Sequence, residues 1–101
     1  GGFTENIPRI LPSGLGAEIN LDTWTLPPVF DWLMNAGPVE APEMLRTFNC
    51  GIGLILVVDK SAAAAIVSAL AALGESAFDI GEVTDVTGDD LVTYRGALNA
   101  D

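Results

Sequence analysis

The stretch that most constrains this chain is Arg46 to Asp59, RTFNCGIGLILVVD. A polar, glycine-containing turn runs into an unbroken apolar run, Ile52 to Val58, interrupted only by Gly53. Such a run reads as a strand buried on both faces rather than one facing water. It is therefore expected to be the strand on which everything downstream pairs or packs. Arg46, Thr47, Asn49, Gly51 and Gly53 stand at its mouth. Open α/β sheets present polar groups to ligands after a strand, whereas these precede it.

The G-x-G of Gly51-Ile52-Gly53 feeds a strand instead of leaving one for a helix, so it is not a dinucleotide fingerprint. Glycines at a strand start mark a bulge or a close backbone approach, either to another strand or to a ligand. Cys50 has no local base or cation except Arg46, and a small buried residue is its expected role. Arg46 stands between apolar residues in a chain with four basic residues. It has two readings: a fork gripping a phosphate or carboxylate, or a structural partner for one of 14 acids.

Before this stretch, FTENIPRILP places Ile7, Ile10 and Leu11 at helical spacing, with Asn6 as the cap and Thr4 as the alternative. The glycine pair Gly1-Gly2 ahead of it reads first as a tight turn, and secondly as backbone N–H groups available to an anion. AEINLDTW alternates, with Ala17, Ile19 and Leu21 on one side and Glu18, Asn20 and Asp22 on the other, as a half-buried strand does. Pro27-Pro28 opens a helix over Val29 to Ala36 that stops at Gly37-Pro38. Its expected buried stripe is Val29, Trp32, Leu33 and Ala36, flanked by Phe30 and Met34. A second short helix around Pro42 to Phe48 delivers Arg46 and Asn49 to the mouth of the apolar strand.

After it, Ser61 is the expected N-cap of an alanine-rich helix ending at Gly74, with Ile66, Val67, Leu70 and Leu73 as its stripe. Ala77 to Thr84 reads as a strand broken or bulged at Gly81. A turn at Thr87-Gly88-Asp89-Asp90 leads to a last strand, Leu91 to Arg95. From Gly51 onward the expected order is β-α-β-β, half of a split βαβ arrangement. The fold class is thus α+β, a mixed sheet with flanking helices and a β-α-β-β tail.

At 101 residues the chain has room for one core. Half of its residues are hydrophobic, which excludes a disordered tail and suggests that part of the apolar surface serves a neighbouring domain or subunit. A formal charge of −10 leaves no electrostatic footprint for nucleic acid or an anionic membrane face. No run approaches the roughly 20 apolar residues of a membrane span, and a soluble protein is expected. The absence of histidine removes histidine bases, histidine metal ligands and Ser-His or Cys-His pairs. The single cysteine precludes an intrachain disulfide. Six acids between Glu75 and Asp90 lack EF-hand spacing and read as a solvated face, with no patterned acid/base pair.

Taken together, GGFTENIPRILP, the PPVFDWL helix and EMLRTFNCGIG followed by an apolar strand resemble the C-terminal domain of the phosphoribosylformylglycinamidine cyclo-ligase (aminoimidazole ribonucleotide synthetase) family. The alanine-rich helix and AFDIGEV also look like that family's ending, and Gly1-Gly2 look like the end of its longer glycine run. The resemblance implies that residues 1–101 are part of that C-terminal domain, with the N-terminal ATP-binding and dimerisation domain absent and this piece inactive alone. It implies an ATP-dependent, magnesium-using, cytoplasmic homodimer of purine synthesis. That enzyme closes the imidazole ring of formylglycinamidine ribonucleotide to give aminoimidazole ribonucleotide, ADP and phosphate.

Phosphoryl activation needs donors and cations around developing negative charge. The expected substrate- or phosphate-binding lip is Gly1, Gly2, Thr4 and Asn6, with Arg46 and Asn49 orienting it or contacting substrate. Glu5 has two readings, a magnesium ligand or base and a stabiliser of the helix start; no residue here is assigned to catalysis or as a metal ligand. The alternatives are a related ATP-dependent enzyme of the formylglycinamidine synthetase, selenophosphate synthetase or thiamine-phosphate kinase type, a small-molecule-binding regulatory module, and a purely structural piece.

Overall fold

The computed structural model describes residues 1–86 and 88–100. It is an α+β arrangement built on a small mixed sheet of order β2-β1-β3. The elements run α1 (Phe3–Asn6), β1 (Leu15–Asn20), α2 (Pro28–Ala36), α3 (Ala41–Thr47), α4 (Ala63–Ala72), β2 (Gly81–Asp85) and β3 (Val92–Arg95), with 3-10 turns at Ile7–Ile10, Leu21–Thr23 and Lys60–Ala62. The expected turn at residues 87–90 includes Thr87, which lies outside the described residues; Gly88 and Asp89 bend the chain there.

The central strand is β1. It pairs antiparallel with β2, Leu15 opposite Asp85 through Ile19 opposite Gly81, and parallel with β3, Ala17 opposite Val92 through Asn20 opposite Arg95. The expected alternation holds: Ala17, Ile19 and Leu21 are buried, while Glu18 and Asn20 are only half-buried and Asp22 is exposed. On one side of the sheet the core gathers Phe3, Ile7, Trp24, Leu26, Met44, Leu45 and Cys50 with Ala17, Ile19 and Val92. Phe3 and Trp24 meet with ring centroids 5.7 Å apart at 56°, an aromatic contact that adds about 0.5–1.5 kcal/mol to burial.

The expected strand Ile52 to Val58 does not form. Residues 52–59 carry no regular structure, and Leu54 is 81% exposed, with Leu56, Val57 and Val58 also exposed. A two-face-buried strand needs a neighbour on each edge and a cover on each face. Among the described residues the sheet has one position with a neighbour on each edge, and β1 takes it. The small residues Gly16 and Ala17 let the neighbouring strands come close there, a methyl group at Gly16 meeting the Leu91 carbonyl. The tail is therefore α-β-β, and the split βαβ half is not built.

Other expectations shift by smaller amounts. The first helix begins earlier than the apolar spacing of Ile7, Ile10 and Leu11 implies, at Phe3, and Pro8 falls in the 3-10 turn that follows. Asn6 does not cap; its side chain bonds back to Gly2. Helix α2 occupies its expected span, but Val29, Ala36 and Trp32, the last at 65% exposure, face solvent. Phe30, Leu33 and Met34 pack on the core instead. The stripes Val29-Trp32-Leu33-Ala36 and Phe30-Leu33-Met34 both satisfy a 3.6-residue period. The contact of Phe30 with Phe48, centroids 6.1 Å apart, accompanies the second choice.

Ser61 lies within the 3-10 turn and is not the cap of α4, whose N-cap is Ala62. Among the described residues no side chain of α4 packs on the core. Strand β2 starts at Gly81, leaving Phe78 outside it and exposed. The radius of gyration, 14.0 Å, exceeds the about 13 Å of a compact 100-residue domain, in keeping with the exposure of Leu54, Leu56, Val57, Leu73 and Phe78.

Candidate functional site

The two polar motifs meet at one corner. Helix α1, carrying FTEN, packs on α3, whose last turn carries Arg46. Gly2 is the N-cap of α1 and is buried. A methyl group at Gly2 would run into the Leu45 carbonyl and stand 2.6 Å from the carbonyl carbon and oxygen of Arg46. The absence of a side chain at Gly2 thus sets how closely the motifs approach. Asn6 Nδ2 donates to the Gly2 carbonyl at 2.8 Å and lies over Gly1, where it closes the turn.

Arg46 faces Glu5 across this corner, Nε to Oε1 3.7 Å, with both side chains more than half exposed. An exposed pair of this length contributes about 0–1 kcal/mol. The guanidinium is therefore held loosely. Glu5 sits in the first turn of α1, where its charge also suits the helix start.

Asn49 is not turned to this corner by any hydrogen bond. Its side-chain oxygen accepts from the Gly51 N–H at 2.8 Å, and its carbonyl accepts from the Ile52 N–H at 3.0 Å. Cys50 and Gly51 have φ values of 53° and 100°, the positive pair of a type I′ turn. Gly51 is required there both by its φ and by the Pro27 ring, which a side chain would strike; Gly53 has open space around it. The close approach expected of the G-x-G is thus real at Gly51, made to a proline ring, and absent at Gly53.

Cys50 is fully buried, as expected for a small core residue. Its Sγ lies 3.5 Å from the Met44 carbonyl, and its own carbonyl accepts the indole N–H of Trp24 at 2.9 Å. Burial pushes the thiol up to about 11, so it stays protonated at neutral pH, as an unreactive core cysteine does.

Thr4, half-buried on α1, shares a 2.7 Å hydrogen bond with the Tyr94 hydroxyl on β3. Burial pushes the Tyr94 phenol upward, the bond from Thr4 works against that shift, and Cys50 adds to it. The sequence reading missed Tyr94. It is the only tyrosine in the chain, but nothing local connects it to a threonine 90 residues away.

Two open clefts lie elsewhere. One of about 530 Å³ is lined by Asp22, Thr23, Trp24, Thr25, Phe78 and Asn99; a smaller one, about 230 Å³, lies along β1 beside Thr84, Asp85 and Asp90. None of the six expected lip residues lines either. Among the described residues no group of three or more acidic or cysteine side chains is placed to hold a metal ion. The described acids between Glu75 and Asp90 are exposed, as a solvated face should be.

These features define an α+β domain in which α1 and the last turn of α3 share one corner. The comparison with known families agrees: residues 1–93 match the family described as AIR synthase related protein, C-terminal domain. The chain belongs to that family, whose domain is found in AIR synthase-like ATP-dependent enzymes. That superfamily generally uses ATP and magnesium.

Proposed function

We propose that the chain forms the substrate- or phosphate-binding lip of an ATP-dependent cyclo-ligase that converts formylglycinamidine ribonucleotide to aminoimidazole ribonucleotide, ADP and phosphate. The observation that carries this reading is the meeting of FTEN and RTFN at one corner, with Gly2 under the Arg46 backbone and Glu5 facing the Arg46 side chain. In the proposal Gly1, Gly2, Thr4 and Asn6 form the rim, and Arg46 exchanges Glu5 for the anion. Asn49 shapes the turn after α3 and acts on the lip through Arg46's placement. The nucleotide and its magnesium are held by a further domain, in a cytoplasmic homodimer.

The test is turnover by the full-length protein. Formylglycinamidine ribonucleotide with ATP and magnesium should yield ADP and aminoimidazole ribonucleotide. Arg46→Lys should lower kcat/KM by roughly tenfold or more, since a point charge lacks the bidentate fork. The proposal fails if ATP is consumed only with formylglycinamide ribonucleotide plus an ammonia donor, with selenide or with thiamine phosphate. It fails equally if Arg46→Lys leaves kinetics and stability unchanged.

A further inference from the structure

We propose that Tyr94 is a positioning residue for the lip: its phenolic hydroxyl holds the Thr4 side chain from the sheet side, so that the Thr4 proton is left for an anionic ligand. This rests on the reading of the lip as an anion-binding surface. A threonine hydroxyl has one proton to donate and two lone pairs to accept with. Phosphate and carboxylate oxygens offer mainly acceptors at neutral pH. If Thr4 touches such a group it must donate to it, and the 2.7 Å bond to Tyr94 must then be donated by the phenol.

Tyr94 is suited to that duty. Its phenol is pushed upward by burial and keeps its proton at neutral pH. It stands on β3 opposite Ile19 of the central strand, on paired backbone rather than on a loop. The relay from Tyr94 through Thr4 to an anion polarises each bond in the same direction, which strengthens the outer one. Threonine in a helix divides between two side-chain rotamers, and the bond to Tyr94 selects one. The contact also ties α1 to the sheet across 90 residues of sequence, so the hydroxyl is aimed by the fold and not by its own helix.

The experiment uses the full chain and inorganic phosphate as the probe, followed by the Thr4 methyl and α1 amide resonances. Tyr94→Phe keeps the ring and removes only the hydroxyl; it should weaken phosphate binding roughly fivefold, the worth of one hydrogen bond. Thr4→Ser should bind nearly as the native chain does. In a Thr4→Val background, Tyr94→Phe should have no further effect. Three-bond couplings at Thr4 should report one rotamer in the native chain and an averaged one in Tyr94→Phe.

The proposal is overturned if Tyr94→Phe leaves both phosphate affinity and the Thr4 rotamer unchanged, or if it weakens binding equally with valine at position 4. A native chain that binds no phosphate, but whose Thr4 rotamer averages in Tyr94→Phe, would remove the anion-binding reading of the lip. In that outcome the hold of Tyr94 on Thr4 would still stand.

Discussion

Replacing Gly2 by alanine isolates the contact that joins the two motifs. Gly2 has φ −96° and ψ 176°, extended backbone that alanine adopts without strain, so the cost is steric alone. The new methyl would overlap the Leu45 carbonyl and stand 2.6 Å from the Arg46 carbonyl carbon and oxygen. Both are backbone groups that cannot swing aside. Restoring ordinary contact requires α1 to retreat from α3 by more than an ångström, and overpacking of this kind costs about 1–3 kcal/mol. The loss of unfolded-chain freedom on replacing glycine returns about 0.4–1 kcal/mol.

A net loss of about 1–2 kcal/mol lowers Tm by about 5–15 °C in a chain of this size. Thermal melts followed by Trp24 fluorescence would measure it, because Trp24 packs on Phe3, the residue after the substitution. Gly53→Ala is the control: nothing stands within 4 Å of the added methyl, so its Tm should match or slightly exceed the native value. A Gly2→Ala variant that melts with the native chain, or a Gly53→Ala variant that loses as much, would refute the reasoning.

Two further outcomes follow from burial. The Cys50 thiol is raised from 9.0 to about 11 in the folded chain, so the stability it contributes is complete below pH 9 and lost as pH rises through 11; urea midpoints at pH 7, 9 and 10.5 should fall across the last interval, less so in Cys50→Ala, and an equal fall in both would remove Cys50 as the cause. Met44 is fully buried and Leu54 is not: Met44→Ala should cost about 2–5 kcal/mol and Leu54→Ala within about 0.5 kcal/mol in chemical denaturation, and equal costs would contradict the exposed placement of residue 54.

The sequence was legible where a signal is local. The alternation of AEINLDTW, the proline and glycine bounds of α2, the span of α3 and the last strand were all readable because each depends on near neighbours. The choice between Val29-Trp32 and Phe30-Met34 as the buried side of α2 was not, since it depends on where Phe48 lies in space. The apolar run 52–58 misled for a related reason: hydrophobicity says that a segment can be buried, and only the available partner strands decide whether it is. At the corner, the pairing of FTEN with Arg46 followed from the family resemblance rather than from spacing. Tyr94 was invisible because its partner comes from the far end of the chain.

The run Leu54 to Val58, exposed apart from Ile55, also bears on how this chain behaves at high concentration. LILVV is short, rich in β-branched and leucine side chains, uncharged and free of proline, the composition of segments that stack into steric zippers between molecules. Against it works a formal charge of −10, which makes copies repel one another. That protection is a matter of solvent conditions: salt screens it within about 10 Å at 0.1 M, and acidification toward the isoelectric point near 4.1 removes it. The acidic surface is thus also the colloidal shield of a largely exposed sticky segment.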